Sequence, residues 1–239
     1  MIRPLCDAIL AVTLAPCCAC CAGPLERPLD GAACDTCWAA IPRASAPLCR
    51  VCGDSLRSWR PGADPLCARC TRRPRLISIG RAIGPYEGSL RDILHALKYD
   101  GRRSLARPLA GRMQAAGRDV LDGADCVVPV PLHFRRLYSR GFNQSAELAA
   151  HLGLPVVHAL RRTRATVTQT DLPEAQRHEN VLGAFAVRRR ARVGGAVVVI
   201  VDDVSTTGAT LDACARVLLD AGAKEVRALT AARAAARLP

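Results

Sequence analysis

Apolar and polar positions along this chain fall into distinct rhythms, and each predicts a different element. Five consecutive β-branched residues, Val197-Val198-Val199-Ile200-Val201, run without a polar interruption. Such a run predicts a central strand covered on both faces, the usual state of a strand in a parallel sheet. The strand is expected to end where Asp202 and Asp203 begin. A turn of small residues, Ser205-Thr206-Thr207-Gly208, leads on to Leu211, Cys214, Ala215, Leu218 and Leu219, which recur at helical spacing. The same order appears upstream. An apolar stretch over 77–86 precedes a helix marked by Leu90, Ile93, Leu94 and Leu97, and Cys126-Val127-Val128-Pro129-Val130-Pro131 precedes a helix over 146–152. Strands alternating with helices predict an α/β fold with a mostly parallel central sheet. Two regions break the rhythm. Residues 160–180 are long, polar and weakly periodic, as functional lids and loops are, and the first 70 residues hold few large apolar side chains beyond one amphipathic N-terminal helix.

Ligands of open α/β sheets bind beyond the carboxyl ends of the strands, so Asp202 and Asp203 stand at the working edge. Free N–H groups at the start of the following helix, with the hydroxyls of Ser205, Thr206, Thr207 and Thr210, make an anion cradle. Two acids beside a phosphate-sized loop point to a sugar phosphate. A second basic segment, residues 133–145, also lies between a strand and a helix, with Arg140, Asn143 and Gln144 as candidate ligands. Its alternative is a solvated basic turn with a helix cap. Lys98 lies near the end of its helix, where the dipole favours a cation. It is either a cap or a phosphate contact.

Eleven of the 13 cysteines lie in the first 70 residues, and eight of them form C-x-x-C turns: Cys18/Cys21, Cys34/Cys37, Cys49/Cys52 and Cys67/Cys70. Each turn aims two sulfurs at one point and two turns complete a tetrahedron, which is zinc-ribbon spacing with two structural Zn²⁺ sites. Sequential, nested and crossed pairings use the same residues and stay open. So does the register at the front, where Cys17 and Cys20 offer a second C-x-x-C pair. A disulfide framework is the alternative for a secreted chain. Arg3 followed by an apolar stretch over 8–15 imitates an export signal, but Asp7 borders that stretch and Pro16 stands where a small residue is needed. Cys126 and Cys214 fall on a predicted strand and helix as core residues, and Cys6 has no assignment.

Composition narrows the classes. A chain of 239 residues with 50% hydrophobic content expects a packed core. No apolar run approaches the ~20 residues of a membrane span, so a cytoplasmic protein is expected. The formal charge of +13 favours phosphate-bearing partners. Two Cys₄ zinc sites would lower it to about +9, still basic. Aromatics are only 3%, a poor stock of stacking platforms for single-stranded nucleic acid.

From Val199 to Thr210 the order is three apolar residues, Asp-Asp, an apolar residue, two variable residues, Thr-Gly, a small residue and Thr. At every fixed position this resembles the signature of the type I phosphoribosyltransferases, which bind phosphoribosyl pyrophosphate (PRPP). The resemblance implies that Asp202 and Asp203 hold the ribose and serve catalysis, that Ser205, Thr206, Thr207, Gly208, Ala209 and Thr210 hold the 5′-phosphate, and that Mg²⁺ accompanies PRPP. Arg140, Asn143 and Gln144 would serve its pyrophosphate, and Lys98 would contact one of its phosphates; the polar length of residues 160–180 fits either a flap closing over PRPP or a nucleic-acid strip. Together with the cysteine turns, Leu97-Lys98-Tyr99, Val128-Pro129-Val130-Pro131, Arg140-Gly141-Phe142-Asn143-Gln144-Ser145, Thr163-Arg164 and Thr168-Gln169, the chain resembles the bacterial ComF family, also labelled GntX-like. That resemblance implies a zinc-ribbon module over 1–72 and a phosphoribosyltransferase-type domain over 76–239, and the basic run Arg72-Arg73-Pro74-Arg75 between them reads as a linker. Some members of the family are associated with uptake of single-stranded DNA in natural transformation. Two functions therefore stand side by side: a phosphoribosyltransferase with an unidentified acceptor, and a non-catalytic single-stranded DNA-binding factor working with DNA-uptake machinery.

Overall fold

A computed structural model describes residues 2–56, 58–60, 62–164 and 183–234. Helix α1 (Ile2–Leu14) precedes the cysteine turns, which carry the short helices α2 (Asp35–Ala39) and α3 (Ala68–Arg72). Then follow β1 (Gly80–Pro85), α4 (Gly88–Tyr99), α5 (Ala106–Ala116), α6 (Arg118–Leu121), β2 (Cys126–Pro129), α7 (Phe134–Arg140) and α8 (Gln144–Ala149). The chain continues through β3 (Leu160–Arg162), β4 (Phe185–Val187), β5 (Val197–Ser205), α9 (Ala209–Asp220) and β6 (Glu225–Arg233).

Strands β1, β6, β5 and β2 lie in that order in one sheet, every pair parallel. β5 is flanked on both edges and covered on both faces, which is why its apolar run needs no polar alternation. Val199 and Val201 pack with Leu90, Leu94, Leu97, Leu109 and Leu148 of α4, α5 and α8. Val198 and Ile200, on the opposite face, pack with Leu211, Cys214 and Leu218 of α9. Each fully buried leucine of these helices contributes about 1.5–3 kcal/mol. Cys126 and Cys214 are core residues, buried as their positions on strand and helix require.

Three elements differ from the sequence expectation. β5 does not stop at the acids but runs on to Ser205, because β6 continues beside it and pairs Asp202 with Thr230 and Ser205 with Arg233. The basic segment after β2 is not a loop: residues 134–140 are helical and stop at Gly141, whose φ of 75° is the left-handed geometry that ends a helix. Residues 160–162 form a strand, antiparallel to β4, whose Leu160 and Phe185 are buried. Three residues are too few to show a period. Thr168-Gln169 and the rest of residues 165–180 lie outside the described residues.

Both cysteine segments pack on the sheet layer. Leu25, Trp38 and Ile41 join the same core as α4 and α5, and the Arg112 guanidinium lies 4.1 Å from the Trp38 ring centre. A Cβ on Gly84 of β1 would fall 1.9 Å from the Pro42 carbonyl oxygen, so the strand and the first segment meet where only glycine fits. α1 forms as expected, but its Asp7 points inward and accepts the Leu29 N–H at 2.9 Å, while Leu5, Ile9 and Val12 face outward. Among the described residues no helix is long and apolar enough to cross a membrane.

Candidate functional site

Two adjacent residues of a strand point to opposite faces, and β5 uses this to give its acids different partners. Asp203 is buried, and its Oδ2 accepts from Lys98 Nζ and from Gln144 Nε2, each at 2.9 Å. Asp202 accepts at Oδ1 from the Ser145 hydroxyl and from the Asp203 N–H, both at 2.9 Å. Gln144 and Ser145 reach the acids because α8 begins beside them. Asn143 fixes that start: its side chain accepts from the Ser145 N–H at 3.1 Å and donates to the Val130 carbonyl at 2.9 Å. Burial pushes the Asp202 carboxyl up to about 7, the neighbouring Asp203 charge adds to the rise, and the Ser145 hydroxyl only partly offsets it. For Lys98, burial favours the neutral amine, but Asp203 outweighs it and holds the ammonium above its ordinary range.

Beyond Ser205 the chain turns through Thr206, Thr207 and Gly208 into α9. Gly208 has φ 80°, and the Thr207 hydroxyl accepts the Ala209 N–H at 3.3 Å. Two buried polar atoms near this turn have no hydrogen-bond partner among the described residues: Ser205 Oγ and Gln144 Oε1. Orphaned polar atoms are costly unless something else satisfies them.

Lys98, Arg140, Gln144, Asp202, Asp203, Thr206 and Thr210 line one cleft of about 260 Å³. Ser205 at the end of β5, Thr207 and Gly208 in the turn and Ala209 at the start of α9 are not among its lining residues, and Asn143 stands outside it as the cap of α8. Tyr99, Arg136 and Arg162 also line the cleft, and none of them was marked by the sequence as a substrate ligand. Arg162 belongs to a run of basic residues assigned to a flap, and burial followed by Arg136 pulls its guanidinium below the ordinary range. Ser145 closes the Arg140-to-Ser145 motif, but nothing local in the sequence shows that its hydroxyl reaches Asp202. Arg140 stacks over Tyr99 with 4.9 Å to the ring centre. Outside the cleft, Phe134 and Tyr138 of α7 are 68% and 93% exposed beside Arg135 and Arg136.

The cysteines gather into two tetrads, Cys18/Cys21/Cys34/Cys37 and Cys49/Cys52/Cys67/Cys70, each with all four sulfurs within 4.8 Å of one another. The turns thus pair in sequence order, and the first register is Cys18 and Cys21 rather than Cys17 and Cys20. Sulfurs on a tetrahedral Zn²⁺ at about 2.3 Å stand roughly 3.8 Å apart. Cys21 and Cys34 lie 3.8 Å apart and Cys52 and Cys67 3.6 Å. Backbone N–H groups of Cys20 and Cys34 reach Cys18 Sγ at 3.4 and 3.3 Å. Burial opposes the Cys18 thiolate, yet such N–H donors outweigh it and bring the thiol down to about 6. Either tetrad could hold a tetrahedral metal ion, and neither leaves an open coordination position for catalysis.

A family model described as a phosphoribosyl transferase domain matches residues 137–239. DNA utilization protein YhgH of Salmonella typhimurium is 36% identical to this chain, over 81% of the chain and 87% of the relative. Competence protein F of Haemophilus influenzae is 29% identical over 80% and 86%. Competence protein ComFC of Bacillus subtilis is 26% identical over 81% and 80%. With relatives aligned along most of both chains, and the phosphoribosyl transferase model lying on the part that carries the acids and the glycine turn, this chain belongs to the ComF (GntX-like) family.

Proposed function

We propose that this protein binds PRPP and transfers its phosphoribosyl group to an acceptor not yet identified. The observation that carries this reading is one cleft that joins Asp202 and Asp203 to Thr206 and Thr210 on one side and to Lys98 and Arg140 on the other. Asp202 and Asp203 would accept from the ribose hydroxyls, and the turn 205–210 would offer N–H and hydroxyl donors to the 5′-phosphate. The unpartnered Ser205 Oγ and Gln144 Oε1 suit a polyhydroxylated ligand. Mg²⁺, bound with the substrate, would supply charge neutralisation on the pyrophosphate. Lys98, Arg136, Arg140 and Arg162 would hold the pyrophosphate as the bond from the anomeric carbon to its oxygen breaks and the electron pair leaves with it. The carboxylates would then face the positive charge that develops on the sugar. The acceptor nucleophile forms the new bond to the anomeric carbon and loses its proton.

The two tetrads are read as structural Zn²⁺ sites, which suits a reducing, cytoplasmic setting. Residues 1–72 would form the zinc-ribbon module and 76–239 the phosphoribosyltransferase-type domain. The experiment is a screen for pyrophosphate release from PRPP with a panel of bases and amines. Release that depends on one acceptor supports transfer, and no release with any acceptor while PRPP still binds removes catalysis.

One observation favours a second reading. Phe134 and Tyr138 stand exposed on α7, the helix whose Arg136 and Arg140 line the cleft, an arrangement of stacking rings and cations suited to single-stranded DNA. Relatives named for competence and DNA utilization point the same way. Substituting Arg135, Arg136 and Arg140 together should weaken salt-dependent binding of single-stranded DNA, and wild-type protein without such binding removes this reading.

A further inference from the structure

Arg69 lies inside the last turn of the second tetrad, between Cys67 and Cys70, yet its side chain leaves the tetrad and reaches the turn at the end of β5. Its Nη1 donates to the Thr206 carbonyl at 3.1 Å, and its Nη2 lies 3.4 Å from Asp54 Oδ2. Asp54 follows Cys52 by two residues and also binds Arg233, whose Nη2 donates to Oδ2 at 3.3 Å. Arg233 is the β6 partner of Ser205. Arg75, five residues beyond Cys70, donates to the Thr207 carbonyl and pairs with Asp212 at 2.5 Å, its own side chain only 2% exposed.

Two consecutive carbonyls of the turn are therefore held from behind by guanidinium groups. Ala46-Pro47 is the one cis peptide bond among the described residues, so both of these peptides are trans. In a trans peptide the C=O and N–H point in opposite directions. Fixing the carbonyls of Thr206 and Thr207 turns the N–H groups of Thr207 and Gly208 away from the arginines. Those are donors that an anion at the start of α9 requires.

We propose that Arg69 is a positioning residue that couples the second cysteine tetrad to the anion-binding turn. Closure of the tetrad fixes the Cys67–Cys70 turn, Asp54 orients the guanidinium, and Arg69 sets the Thr206 peptide. Opening of this tetrad then loosens the turn although no cysteine touches it. The consequence for a sugar phosphate rests on the PRPP reading above; the coupling itself does not.

The test uses the full chain with both tetrads loaded, as wild type, Arg69→Ala and Arg69→Lys. Three quantities are measured: metal content, amide hydrogen exchange over 205–209 without ligand, and ribose 5-phosphate binding by calorimetry. Losing a charged donor to a carbonyl predicts roughly tenfold faster exchange and roughly tenfold weaker binding in Arg69→Ala at unchanged metal content, with Arg69→Lys in between. Exchange and affinity equal to wild type in Arg69→Ala overturn the proposal. If Arg69→Ala does not fold, Arg69→Lys with wild-type exchange overturns it instead. Wild-type protein that binds neither ribose 5-phosphate nor PRPP with Mg²⁺ removes the PRPP reading, while faster exchange in Arg69→Ala still establishes the coupling.

Discussion

Lys98 Nζ stands 2.9 Å from Asp203 Oδ2, and both side chains are almost closed to solvent, at 13% and 11% exposure. The pair joins the end of α4 to the carboxyl end of β5, so one contact serves the core and the cleft together. Truncating one partner leaves the other charge buried. Lys98→Met should therefore destabilise the fold by about 3–5 kcal/mol. Combining it with Asp203→Asn should cost less than the two single changes together. Urea unfolding of the double-mutant cycle checks this, and simple additivity would contradict a coupled pair.

Asp202 makes a pH prediction of definite sign. Its carboxyl titrates at about 7 when folded against an ordinary 3.8. Between those values the folded chain holds a proton that the unfolded chain has released, so the contribution of Asp202 to stability falls as pH rises from about 4 to 7. Asp202→Asn removes that dependence. Thermal melts from pH 5 to pH 8 should show the variant gaining stability relative to wild type. A difference that stays constant with pH would mean that Asp202 is ionised throughout.

Gly208 is fixed twice over. Its φ is 80°, and a Cβ would lie 2.5 Å from Arg75 Nη2, a group pinned by Asp212. Gly208→Ala should cost about 1–3 kcal/mol and displace Arg75. The unfolding midpoint measures the cost, and a midpoint unchanged within error would show that the turn can relax around the methyl group.

The tetrads should each take one metal ion. Purified protein is expected to carry two equivalents of zinc, and Cys49→Ser to retain only the equivalent held by Cys18, Cys21, Cys34 and Cys37. Chelation should lower the melting temperature, since metal affinity is part of the folding free energy of such segments. Full stability after chelation would contradict a structural role.

What the sequence disclosed was whatever leaves a local pattern. The run Val197–Val201 revealed a central strand because a strand covered on both faces has no polar alternation, and Leu90, Ile93, Leu94 and Leu97 revealed α4 by their period. The C-x-x-C turns disclosed which cysteines gather, because a turn of that spacing brings two sulfurs to one point. Pairing between turns is a question of three-dimensional path, and only the structure sorts Cys18 to Cys37 from Cys49 to Cys70. The extension of β5 through Asp202 and Asp203 was hidden because it depends on β6, whose ladder continues to Arg233. Arg69 and Arg75 stayed hidden for the same reason. Arg69 meets Thr206 across 137 residues of chain, and a basic run before a strand has the composition of a linker whether or not its guanidinium groups are buried.

The most direct measurement is calorimetric titration of the wild type and the Asp202→Asn/Asp203→Asn variant with PRPP and Mg²⁺, after circular dichroism and metal content show both to be folded. Wild-type protein should bind. The variant should bind roughly a hundredfold more weakly, since it loses charged acceptors for two ribose hydroxyls. Equal affinity in the variant, or no binding by the wild type, would contradict the assignment of this cleft to PRPP.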